Sequence, residues 1–199
     1  MRAGRSGAAA RREAPSNVVD EIERSGAELE GTTGNTGRML PLRDFFHVGI
    51  RVADIDRAMG EIGTASDLTW CPVQDRPMSV WTPQDGAVVI PLKLTYSVEG
   101  PVHLELLEGP AGTVWDGRDQ PGAHHFGYWC DDVGAETRSL IAQGWTVELA
   151  AGPPEAGYGR FSYVRSPEGF LVEPVASASR YRFERWWAGG LLNDPSQDC

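Results

Sequence analysis

The chain has 199 residues, a formal net charge of −10 and 41% hydrophobic residues, which supports one large domain or two small ones with a packed core. Its 28 acidic groups against 18 basic ones argue against sequence-independent nucleic-acid binding, which needs clustered cations facing phosphate. No stretch approaches the roughly 20 continuous apolar residues of a membrane helix.

Residues 1–41 read as a disordered N-terminal extension, because their Gly, Ala, Ser, Thr and Arg bury too little surface to offset ordering entropy. The opening MRAGRSGAAARR is Arg-rich and acid-poor, as an organellar transit peptide is. Segment 18–30 has the composition of a short helix. Cys71, Cys130 and Cys199 form no CxxC pair, which argues against both a disulfide framework and a thiolate zinc site. With no apolar leader segment at the start, a reducing cytoplasm is the expected compartment.

From residue 42 the texture changes. FFHVGIRV (45–52) alternates and is rich in β-branched and aromatic residues, so it predicts a strand. A short helix follows over 53–63, with Asp54 as N-cap. Three further strands are predicted over 79–83, 86–96 and 101–109. Residues 110–122 form a Gly-, Pro- and Asp-rich linker. The pattern then restarts with a strand over 124–132 and a helix over 133–144 closed by Gly144. Strands over 145–151, 159–167 and 169–176 complete it. The order βαβββ therefore occurs twice, in modules 42–109 and 123–176, followed by a tail, 177–199. Within that tail, Arg182–Trp187 predicts an amphipathic turn packing back on the domain, with Trp186 and Trp187 as an anchor or dimer contact.

The two modules share a register. Setting HVGIRVADI (47–55) over HFGYWCDDV (125–133) aligns His47 with His125, Gly49 with Gly127 and Asp54 with Asp132. The closing strands HLELLEG and FLVEPVA each carry a Glu, Glu105 and Glu173. A Glu buried on a strand of Leu and Val is costly unless paired or bound to a cation. Its recurrence on the closing strand of both modules points to a site.

The segments FHVGIRVADIDRAM, VHLELLEG, HHFGYWCDDV and SPEGFLVEPV resemble the vicinal oxygen chelate superfamily, which includes glyoxalase I, methylmalonyl-CoA epimerase, extradiol dioxygenases and bleomycin and fosfomycin resistance proteins. The resemblance covers about residues 44–176. It implies an α+β fold in which two βαβββ modules pair into an open, cup-like curved sheet. Carried over position by position, it implies His47, Glu105, His125 and Glu173 as ligands of one divalent metal ion. Side chains alternate faces along a strand, so Arg51, His103 and Trp129 share the ligand faces and are expected to line the cup as substrate-binding residues. Gly49 and Gly127 are expected to leave room for a bound ligand, or to mark bulges. Two imidazoles and two carboxylates suit Zn, Ni, Co, Mn or Fe.

The implied chemistry is that of a metal-dependent lyase or isomerase of the glyoxalase or epimerase type. The cation would stabilise an enolate-like species of a small oxygenated substrate. By resemblance, Glu173 is the first candidate to move the proton and Glu105 the second. The alternatives are an Fe(II)-dependent extradiol-type dioxygenase and a non-catalytic ligand-binding or resistance protein of the same fold. The partner is a small molecule, with neither nucleic acid nor membrane. A homodimer is expected from the family, its modules paired within one chain or swapped between two.

Overall fold

In the computed structural model, residues 44–194 are described. The helix expected within 18–30, the whole of the N-terminal extension and Cys199 lie outside them. The first module runs β1 (Phe45–Arg51), α1 (Ile55–Ser66), β2 (Gln74–Thr82), β3 (Gly86–Tyr96) and β4 (His103–Glu108). The second repeats it as β5 (Gly122–Cys130), α2 (Val133–Ala142), β6 (Thr146–Ala150), β7 (Ser162–Arg165) and β8 (Leu171–Ala176). A third helix, α3 (Arg180–Trp187), follows β8.

Both helices start on an aspartate cap, Asp54 as expected and Asp132 at the position aligned with it. Asp54 accepts a hydrogen bond from the Arg57 amide at 2.9 Å, and Asp132 one from the Ala135 amide at 2.8 Å. Each carboxylate satisfies an amide that the first helical turn leaves unpaired. Gly144 follows α2 with φ +88°, the left-handed conformation that glycine adopts without steric cost. Asp54→Ala and Asp132→Ala are each expected to lower stability by about 0.5–2 kcal/mol, measured as a shift in the urea unfolding midpoint.

The eight strands form one curved sheet in the order β1-β4-β3-β2-β6-β7-β8-β5. Within each module the first strand runs parallel to the last, β1 beside β4 and β5 beside β8. Two seams join the modules. One is the long antiparallel ladder between β1 and β5; the other is a single pair, Trp81 opposite Ala150, which closes the cup into a barrel. α1 covers the outside of the first module through Ile55 and Ala58 against Leu106, and α2 covers the second through Val133 and Leu140 against Val172. The interior holds Leu92, Leu94, Leu107, Leu149 and Tyr163.

β2 begins at Gln74, five residues before the predicted strand. Pro77 obscures that start in sequence, since a proline cannot donate to a ladder. In the fold it sits opposite Pro91, where β2 pairs only with β3 and the far side of the strand asks for no donor.

Candidate metal centre

The site lies across the four strands β4, β1, β5 and β8. The ladders set two adjacent rows of residues. In one, His103, His47, Gly127 and Glu173 stand side by side; in the other, Glu105, Gly49 and His125 do. Each glycine thus separates a histidine of one module from a glutamate of the other. Neighbouring strands are about 4.8 Å apart, so His47 and Glu173 lean towards each other over Gly127, and His125 and Glu105 over Gly49.

The glycines are what make this possible. A Cβ at Gly127 would lie 1.8 Å from Cε1 of His47, and one at Gly49 would lie 2.1 Å from Cε1 of His125. The expectation that they leave room for a bound ligand is corrected here: each makes room for the imidazole of the opposite module. Two β-bulges assist. Phe46 on β1 and His124 on β5 are extra residues in the ladder. Such a bulge re-aims neighbouring side chains, and buried adjacent pairs, Phe46–His47 and His124–His125, result.

His47, Glu105, His125 and Glu173 are all buried, and one potential ligand atom of each lies within 4.8 Å of all the others. Nε2 of His47 is 2.8 Å from Nε2 of His125. It lies 3.5 Å from Oε2 of Glu105 and 3.0 Å from Oε2 of Glu173. Nε2 of His125 is 3.2 Å from each of the same two oxygens. A cation holding N and O ligands at about 2.1 Å spaces adjacent ligand atoms by about 3.0 Å in octahedral and about 3.4 Å in tetrahedral geometry. The contacts span that range, so the donor set fits a divalent ion. Oε2 of Glu105, buried and without a hydrogen-bond partner, is an acceptor of the kind a cation satisfies.

The electrostatics of the cluster follow from its crowding. Burial alone would lower the His125 value, but Glu173 and Glu105 beside it outweigh burial and raise it to about 9. Burial would raise Glu173; His125 first and then His47 bring it down to about 2. The cluster by itself therefore holds imidazolium against carboxylate, the charge pattern that a cation replaces.

Residues around the cluster complete it. Nδ1 of His125 lies 3.0 Å from Nδ1 of His124. Burial, then the charges of His125, Arg51 and Arg165, push His124 down to about 2. His124 is therefore neutral and can accept the Nδ1 proton of His125, which leaves Nε2 of His125 free to face the cluster. The bulge that brings His124 beside His125 has no sequence signature. Tyr96 is buried beside the carboxylates, and its ring lines the same pocket as Glu105 and Glu173. The Tyr163 hydroxyl accepts from Nε1 of Trp115 at 3.1 Å. Burial, then the two carboxylates, keep both phenols protonated.

A pocket of about 720 Å³, including its open mouth, reaches Glu105 and Glu173. Tyr96, Trp115, Phe161, Tyr163 and Phe183 form part of its wall. Arg51, His103 and Trp129 do not line it, contrary to expectation. The Arg51 guanidinium donates to Oε1 of Gln120 at 2.9 Å. The His103 ring is stacked under Trp187 at 3.7 Å, and Trp129 is stacked on Phe46 at 3.7 Å with Phe183 edge-on at 5.5 Å. Helix α3 packs its aromatic residues onto this part of the cup, so strand parity places His103 and Trp129 inside while the helix seals them off. Trp186 is buried in the core and Trp187 covers His103.

Cys71 and Cys130 are free and buried, and burial, then Glu99, raises Cys71 to about 11. Neither thiol belongs to the cluster. Among the described residues, no helix is long and apolar enough to cross a membrane.

Comparison with curated proteins found no match. Among solved structures, a hypothetical protein from Bacillus halodurans is similar over 67% of this chain and 93% of its own, with 18% identity and a TM-score of 0.49. Methylmalonyl-CoA epimerase from Mycobacterium tuberculosis is similar over 71% and 95%, with 18% identity and a TM-score of 0.43. A mutant 4-hydroxymandelate synthase from Streptomyces coelicolor is similar over 66% and 48%, with 17% identity and a TM-score of 0.45. The profile of one family matches residues 46–163, more than half of the chain and most of both βαβββ modules. On that match, the chain belongs to the glyoxalase/bleomycin resistance protein/dioxygenase superfamily.

Proposed function

We propose that the chain is a metal-dependent lyase or isomerase of the glyoxalase or epimerase type, with His47, Glu105, His125 and Glu173 holding one divalent ion. The observation that carries this reading is the convergence of four buried ligand atoms from four strands, at the spacings of a coordination shell. A bound ion supplies Lewis-acid stabilisation to negative charge developing on a substrate oxygen.

The chain's own residues do the rest. Glu105 and Glu173 both line the pocket, and each turns Oε2 into the cluster, leaving a second oxygen to exchange a proton with substrate. Glu173 is assigned that role by the resemblance to the glyoxalase and epimerase members of the superfamily, with Glu105 as the second candidate. Tyr163, with Trp115 donating to its oxygen, can direct its own hydroxyl proton at a substrate atom. The apolar wall excludes water, which strengthens each of these interactions.

Elemental analysis of purified protein is expected to find about one divalent ion per chain. Proton exchange from solvent deuterium into 2-oxo acids, 2-hydroxy acids and acyl thioesters, followed by NMR, is expected to slow roughly 10²- to 10⁴-fold in Glu173→Gln. Unchanged exchange in a variant that retains the ion removes Glu173 from the proton path. Oxygen uptake with a catechol would instead identify an Fe(II)-dependent extradiol-type dioxygenase. Ligand binding without metal or turnover would identify a non-catalytic binding protein.

A further inference from the structure

The pocket that reaches Glu105 and Glu173 also holds three guanidinium groups. They come from distant parts of the chain: Arg76 from β2, Arg160 from the turn before β7 and Arg182 from α3. Glu105 and Glu173 are buried, Arg76 and Arg182 are half-buried and Arg160 is exposed. The carboxylates therefore stand at the floor and the arginines towards the mouth. In a chain of net charge −10, arginines are expected to find acidic partners. Arg165 does so with Glu148, and Arg180 with Glu184. Arg76 and Arg160 do not: among the described residues the charges acting on them are other arginines. Burial, then Arg160 and Arg182, hold Arg76 below its ordinary value; burial, then Arg182, do the same to Arg160. Nε of Arg76 is buried without a hydrogen-bond partner. Arg182 is held by Asn193, which also lines the pocket.

Like charges gathered at a cavity mouth, with a buried donor left unmet, describe a place for an anion. Buried polar donors without partners are uncommon and call for an explanation, and guanidinium forks match carboxylate and phosphate oxygens two at a time. The rest of the wall, including Met78, Leu92, Leu94 and Phe161, is apolar. From this geometry we infer that the substrate is a small organic acid, a carboxylate or phosphate ester, whose anionic group is bound by Arg76 and Arg160, with Arg182 beside them, while its apolar body fills the pocket. This names the substrate class for the enzyme proposed above and rests on that reading for its chemistry; the binding itself needs no metal.

The test is calorimetric titration of full-length, metal-free protein with phenylacetate, phenyl phosphate and the uncharged isostere phenylacetamide. At least one of the two anions is expected to bind ten-fold or more tightly than phenylacetamide, and the tighter identifies the anionic group. Arg76→Gln and Arg160→Gln are each expected to weaken that anion about ten-fold, consistent with loss of a charge-assisted hydrogen bond, and to leave phenylacetamide unaffected. Arg160 is exposed, so its variant serves if Arg76→Gln fails to fold. Equal affinity for charged and uncharged probes, or unchanged anion affinity in Arg160→Gln and folded Arg76→Gln, overturns the inference. Because no metal is present, this result is independent of the metal content that tests the enzyme reading.

Discussion

Gly127→Ala is expected to abolish stoichiometric metal binding and to destabilise the fold, although it adds only one methyl group. The backbone at Gly127 does not require glycine, since its φ is not in the left-handed region. The whole effect is therefore the collision of the new Cβ with the His47 ring, 1.8 Å away. That ring is buried, with Phe46 at 4.4 Å and Tyr96 at 5.3 Å, so it cannot step aside without disturbing the core. Overpacking of this kind costs about 1–3 kcal/mol, or about 2–12 °C in Tm for a chain of this size. Gly49→Ala should behave alike, through His125. Gly60→Ala is the control. It lies inside α1, where a Cβ meets nothing within 4 Å, and should stabilise by about 0.5–1 kcal/mol. Scanning calorimetry and elemental analysis of the three variants check the set. Normal metal content in Gly127→Ala would show that the His47 ring does not depend on the vacancy opposite it.

Metal-free protein is expected to gain stability steeply when a divalent cation is added. The cluster crowds two carboxylates and two imidazoles into a buried volume, and a ligand that binds only the folded state stabilises it by mass action. At a free concentration a thousand times Kd, this amounts to about 4 kcal/mol, or about 8–16 °C in Tm. Glu105→Gln and Glu173→Gln remove a charge and an anionic ligand each, and should remove most of the gain. His124→Leu touches no ligand atom of the cluster but takes away the acceptor that orients His125, so it should weaken metal affinity about 10- to 100-fold. Thermal melts with Zn and with Mn, run on wild type and the three variants, check this. A Tm indifferent to every divalent ion would remove the metal from the account.

The residues nearest the proposed chemistry were legible in the sequence because they obey a repeat. His-x-Gly opens both modules and Glu closes both, so the duplication itself marked His47, Glu105, His125 and Glu173 before any contact was known. The βαβββ order and the Asp54 cap were legible for a similar reason, since periodicity and capping act over a few residues. What escaped reading acts across the modules. The reason for Gly49 is His125, and the reason for Gly127 is His47, each on the other module's strand. The fate of His103 and Trp129 was invisible to strand parity, because parity says which way a side chain points and not what later covers it. Trp187 and Phe183 arrive from beyond the repeat and take that space. Arg76, Arg160 and Arg182 belong to no local pattern, and only the folded pocket assembles them.

The two seams between modules differ greatly in strength. The β1–β5 ladder carries both histidines of the cluster, whereas the opposite side of the barrel is fastened by the lone pairing of Trp81 with Ala150. Separating the weak seam would forfeit one pairing and leave the histidine ladder whole. Any change in the barrel's width is therefore expected along the Trp81–Ala150 edge, while the ladder that carries His47 and His125 stays paired.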